Sequence, residues 1–97
     1  MSEPQFSWDR GKAQENISKH GVAFDEATTA FHDENGIRIF DPDHSAIEDR
    51  YLLLAMSSKA RLLVVSHCFR KDEDEIRIIS ARKATKTEST QYGRRKL

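Results

Sequence analysis

Two apolar runs, Arg50 to Met56 and Arg61 to Phe69, stand close together in this chain, and both alternating sets of residues within them are apolar. A strand with one wet face alternates apolar and polar residues, so runs apolar on both sets belong at the centre of a sheet that helices cover at least in part. Only Ser57-Ser58-Lys59-Ala60 separates them, a turn that suits antiparallel neighbours. Ile37 to Phe40 alternates until Asp41-Pro42 ends it, and Ile76 to Ala81 follows the acidic loop Lys71 to Asp74. Short connections throughout predict a four-stranded antiparallel meander.

Helices flank these strands. Asp9 is an N-cap, Lys12 to His20 is helix-permissive, and Gly21 suits the left-handed position after a helix end. Trp8, Ala13 and Ile17 form its thin apolar stripe. A second short helix begins after Asp25, with Ala27, Ala30 and Phe31 on one side. Thr85 and Glu88 have the spacing of a capping box, which predicts a last helix to about Tyr92. The expected architecture is α+β: two N-terminal helices, a four-stranded antiparallel sheet and a C-terminal helix, in a single domain over residues 1–97.

Charge limits the function classes. Lys and Arg number 16, as do Asp and Glu, so the net charge is zero, which argues against coating nucleic acid through bulk charge. The distribution is uneven, however. From Arg82 onward the cations Arg82, Lys83, Lys86, Arg94, Arg95 and Lys96 face Glu88 alone, and a locally basic face can act on phosphates. The apolar runs are too short to span a bilayer, so the chain is expected to be soluble and cytoplasmic. The lone Cys68 forms no internal disulfide and reads as a small buried hydrophobe.

Residue spacing offers neither a metal signature nor a phosphate-cradling glycine loop. His20, His32, His44 and His67 lie far apart, and His67 and Cys68, as strand neighbours, point to opposite faces. A set of cations and imidazoles remains. RNA cleavage without a metal needs such a set: a base to take the 2′-hydroxyl proton, cations to stabilise the charge gained at phosphorus, and an acid for the 5′ oxygen.

Arg82, where the strand ends, is the foremost candidate for charge stabilisation; the alternative is a salt bridge to Glu48 or Asp49. Strict alternation puts Arg77 with Ile79 and Ala81, on the face away from Arg82, unless the strand twists or bulges. An imidazole exchanges protons near neutrality, so His20 is a candidate for proton transfer, or else it caps a helix end. His67 reads as a core imidazole. Glu48 serves as a base or fixes Arg50 or Arg82. Tyr92 stacks on a base or belongs to the core.

Trp8-Asp9, Lys12-Ala13, Asn16, Lys19-His20-Gly21-Val22, Phe24, Glu26-Ala27 and Phe31 resemble the N-terminal pattern of the BrnT toxins. So do Asp43-His44-Ser45, Glu48, Arg50-Tyr51 and Arg61-Leu62-Leu63-Val64-Val65, and the closing Arg77-Ile78-Ile79-Ser80-Ala81-Arg82-Lys83-Ala84-Thr85 with Glu88 and Tyr92. The resemblance spans nearly the whole chain. It implies a RelE-like fold and a ribonuclease toxin of a type II toxin–antitoxin module; with the cation and imidazole set above, the expectation is an endoribonuclease that needs no metal or other cofactor. It also implies neutralisation by a partner of the BrnA kind, expected to be a DNA-binding antitoxin; the free toxin is expected to be monomeric, with higher assembly arising through the antitoxin dimer. The family pattern supports Lys19, His20, Glu48, Arg50, Arg77, Arg82 and Lys83 as places to look without settling their roles; Arg82, His20, Glu48, Arg50 and Arg77 are taken as the catalytic candidates, and Lys19, Lys83 and Tyr92 as the candidates for RNA contact. A non-catalytic binding module, including a decayed toxin that keeps only antitoxin binding, is the alternative. The acidic loop Asp72 to Glu75 departs from the shorter, glycine-bearing turn expected of the family, and the residues around Pro4 form an N-terminal extension with no evident role.

Overall fold

The computed structural model describes residues 4–44, 48–71 and 74–96. Ser45 of the expected turn, Asp72 and Glu73 of the acidic loop, and the side chain of His44 lie outside that description. In chain order the elements are β1 (Gln5–Ser7), α1 (Arg10–His20), α2 (Phe24–Ala30), β2 (Ile37–Asp41), a 3₁₀ turn (Pro42–His44), β3 (Arg50–Met56), β4 (Leu62–Arg70), β5 (Glu75–Lys83) and α3 (Lys86–Lys96).

The sheet order is β1-β5-β4-β3-β2. The expected antiparallel meander is present as β2 to β5, with β4 and β3 internal. The sheet nonetheless has five strands, because β1 joins β5 in parallel, with Phe6 beside Ile76. A three-residue strand with one apolar side chain carries no readable period, which is why alternation missed it. Its amide at Gln5 donates to the Asp74 carbonyl, and the Ser7 hydroxyl donates to Glu75 at 2.6 Å.

Helix α1 starts at Asp9, whose carboxylate accepts from the Gly11 amide, and stops at Gly21 in the left-handed conformation, φ 69°. The buried stripe differs from the expected one. Ile17 is 50% exposed, and Asn16 takes the inward position. The reason lies on the outer edge of β5, which β1 covers only from Glu75 to Arg77. Beyond it the Asn16 carboxamide donates to the carbonyls of Ala81 and Val22, both at 2.8 Å, and accepts from the Ala81 amide at 3.1 Å. One side chain thus replaces the missing strand partner of Ala81 and joins α1 to the sheet.

One face of the sheet carries the main core. Val22, Phe24, Ala27 and Ala30 pack on Leu53, Ala55, Leu63, Val65, Ile78 and Ala81, with Phe6, Trp8, Ala13 and Phe31 around them. Truncating a fully buried residue such as Leu63 to Ala costs about 2–5 kcal/mol. Buried Glu26 ties α2 to the β3–β4 turn: it accepts from Ser57 at 2.7 Å and from Arg61, whose guanidinium also donates to the Gly21 carbonyl. The hydrogen bond from Arg61 holds this carboxyl below its ordinary range in spite of burial.

The opposite face is covered only in part. Tyr92 of α3 packs with Leu54 and Val64, flanked by Ile37, Leu52, Met56, Leu62 and Ala84. The predicted capping box is formed at the start of α3: the Thr85 amide donates to Glu88 at 2.8 Å, and the Glu88 amide donates to the Thr85 hydroxyl at 3.2 Å. Among the described residues no helix is long and apolar enough to cross a membrane.

Candidate active site

The site is set by an irregularity in β5. Ser66 pairs with Ser80, yet the next residue of β4, His67, pairs with Ile78. Ile79 is therefore the extra residue of a β-bulge, and the inside–outside phase of β5 changes across it. Cys68 pairs with Arg77 and Val64 with Arg82, so both arginines emerge on the face that carries α3. Strict alternation had put them on opposite faces; the bulge corrects this. Along the strand their Cα atoms stand roughly 13 Å apart, a span two arginine side chains can share.

Between them the floor of the groove is small and polar. Ser66 and Ser80 are directly opposite, and Leu52 stands beside Ser66 on β3. Arg50 follows on the same face, two residues before Leu52. At the outer rim of β5, Lys12, Glu15, Asn16, Lys19, His20, Ile79 and Ser80 line a cleft of about 220 Å³. Helix α1 thus delivers Lys19 and His20 to the side of the groove, and the cleft meets it at Ser80.

The two arginines differ in occupation. Arg82 makes a two-pronged ion pair with Glu88, at 2.8 and 2.9 Å, and neither Glu48 nor Asp49 takes that role. The pair holds the Glu88 carboxyl at about 2 and raises the Arg82 guanidinium further. Part of the Arg82 charge is therefore spent on the start of α3. Arg77 is half-buried and, among the described residues, has no ion pair or side-chain hydrogen bond. It is thus left available to a phosphate on this face.

Glu48 closes the other side of the groove. Its carboxylate accepts from the Cys68 thiol and from Arg70, both at 3.4 Å. Neither Arg50 nor Arg82 is the partner of Glu48 in these bonds; Arg70 is, a residue the sequence reading did not single out. Burial and the Glu48 carboxylate push the Cys68 thiol pKa up, so it rests as a thiol. No group of three or more His, Cys, Asp or Glu among the described residues is arranged to hold a metal ion.

Two expected RNA contacts fall elsewhere. Lys83 pairs with Leu63, which puts it on the opposite face from Arg82, at the end of the strand. Tyr92 is 5% exposed, and its hydroxyl donates to Asp33 at 2.5 Å. Burial and this carboxylate push its pKa up to about 12. Its ring is part of the core under α3 and presents no face to a nucleobase. His67 is also a core group: it is fully buried, its Nδ1 lies 3.1 Å from the Val65 carbonyl, and Phe31, Tyr51 and Phe69 surround it.

Comparison with known proteins agrees with the resemblance read from the sequence. Residues 8–88 match the family model described as "Ribonuclease toxin, BrnT, of type II toxin-antitoxin system". No curated protein sequence matches the chain significantly. Among solved structures, the crystal structure of the Brucella abortus ribonuclease toxin BrnT is similar, with 22% identity and a TM-score of 0.63, over 86% of this chain and 99% of that one. That likeness concerns the fold, and the family match covers every element from α1 to the first turn of α3. The chain belongs to the family of BrnT ribonuclease toxins of type II toxin–antitoxin systems.

Proposed function

We infer that the chain is an endoribonuclease toxin that cuts RNA without a metal ion, in the groove between Arg77 and Arg82. The observation that carries this reading is the bulge at Ile79, which puts both arginines on the face of Ser66 and Ser80, next to the α1 cations. In the reaction the 2′-oxygen bonds to its own phosphorus while the bond to the 5′ oxygen breaks. The 2′-hydroxyl loses a proton and the leaving oxygen gains one, so the products are a cyclic phosphate and a 5′-hydroxyl.

Arg77 supplies the main stabilisation of the added negative charge, since planar guanidinium donors grip two phosphate oxygens at once. Arg82 contributes from the far end with what Glu88 leaves uncompensated. Arg50 adds positive charge on the same face, and Lys19 holds a neighbouring phosphate at the rim. Attack and departure are in line, so base and acid must stand on opposite sides of the phosphate. His20 lies on the α1 side, beyond Ser80, and Glu48 on the side of Cys68. These two are the proton-transfer pair of this reading.

A BrnA-like antitoxin neutralises the toxin by covering the same cationic groove. Expression of the chain without its partner should arrest growth and degrade RNA, and co-expression of the adjacent antitoxin gene should restore growth. Unimpaired growth with the folded chain present, and no RNA turnover by the purified protein, would instead identify a decayed toxin that only binds its partner.

A further inference from the structure

The two edges of the sheet are finished differently. The outer edge of β5 is paired with β1 and then capped by Asn16 at Ala81. At the other edge, among the described residues, no strand pairs with the outer side of β2. Which of its backbone groups face outward follows from β3. The Ser57 amide donates to the Arg61 carbonyl across the β3–β4 turn, whereas the Met56 amide donates to the Asp33 carboxylate on the β2 side. Alternation then turns Leu54, Leu52 and Arg50 toward β2, where they pair with Ile37, Ile39 and Asp41. Arg38 and Phe40 consequently direct their N–H and C=O groups away from the sheet. Two large apolar side chains at this edge are also uncovered, Ile39 at 48% exposure and Phe40 at 47%, on opposite faces.

We propose that β2 is the contact between two copies of this chain, paired antiparallel about a twofold axis through Ile39. In this register Arg38 of each copy lies opposite Phe40 of the other, and these residues exchange the N–H and C=O groups that each edge leaves open. Ile39 meets Ile39 of the second copy at a non-hydrogen-bonded site, where opposed side chains come closest. The Arg38 guanidinium, already 5.1 Å from the Phe69 ring centre, comes beside the Phe40 ring of the second copy, a favourable cation–π arrangement. No like charges oppose one another directly. Pro42, which lacks an N–H, ends the ladder on one side, and the Gly36 amide, held by the Asp33 carbonyl, ends it on the other. Such a short contact lies at the small end of specific interfaces, so monomer and dimer exchange with concentration. The free chain is then not strictly monomeric, in contrast to the expectation from the sequence.

Sedimentation equilibrium of the purified chain over a wide concentration range, combined with cysteine scanning, tests this. An Ile39→Cys variant brings two thiols together at a Cα separation of about 4.5 Å, within the span of a disulfide. Mild oxidation should link most of it into dimers. Ile17→Cys, at an equally exposed position on α1, should remain largely monomeric. Arg38→Cys and Phe40→Cys should each link poorly alone and efficiently when mixed, because each faces the other across the axis. A chain that stays monomeric at every concentration, with Ile39→Cys no more reactive than Ile17→Cys, would overturn the proposal. Efficient self-linking of Arg38→Cys would overturn the register. Protection of Ile39→Cys only on addition of the antitoxin would assign the edge to that partner instead.

Discussion

Arg77 and Arg82 face the same way from β5, although five positions separate them, because Ile79 is accommodated as a bulge opposite the Ser66–His67 step. Their environments make the two variants distinguishable. Arg77→Ala should lower RNA cleavage by roughly 10²–10³-fold, the usual cost of a lost charge-stabilising donor, with an unchanged melting temperature. Arg82→Ala should lower both cleavage and melting temperature, since Glu88 then loses its ion-pair partner. Cleavage assays paired with thermal melts would check this, and equal melting temperatures for the two variants would contradict it.

Acid should loosen α3 through Glu88. Its carboxyl is held at about 2 against an ordinary 4.5, so the folded chain keeps it charged where the unfolded chain would protonate it. The depressed value means that the contribution is full above pH 4.5 and declines as the pH falls toward 2. The Arg82 side chain is 39% exposed, and solvent screening limits the pair to ~1 kcal/mol. Denaturant titrations should show Glu88→Gln less stable than the parent at pH 7, with the gap narrowing below pH 4.5.

His67 is a second source of acid sensitivity. Burial pushes its pKa down to about 4, and among the described residues its Nε2 has no hydrogen-bond partner. The unfolded chain binds this proton below about pH 6.5 and the folded chain does not, so stability falls between pH 6.5 and 4. A shift of that size corresponds to about 3 kcal/mol across the window. His67→Phe, which keeps a ring among Phe31, Tyr51 and Phe69, should flatten this part of the stability–pH curve. An unchanged slope would show that another group controls it.

Periodicity and caps made most of the fold legible in the sequence. Asp9, Gly21 and the Thr85–Glu88 box act locally, so residue type and spacing suffice to place them. The features that escaped are not local. Strand β1 exists only because the edge of β5 can accept it, and Asn16 is buried only because Ala81 lacks a strand partner there. The bulge leaves no mark in residue types, since Ile79 looks like any other strand residue. The face of Arg77 depended on that single position, and so did the convergence of the site. Tyr92 was drawn away from RNA by a partner 59 positions earlier, Asp33, which no spacing rule connects to it.

Cleavage of a defined RNA by the purified chain in excess chelator, with the ends of the products mapped, tests the central claim most directly. The account predicts undiminished cutting by the parent chain, a 2′,3′-cyclic phosphate and a 5′-hydroxyl at each cut, and little cutting by Arg77→Ala. Loss of cutting in chelator that added metal restores, or full activity of a folded Arg77→Ala chain, would contradict it.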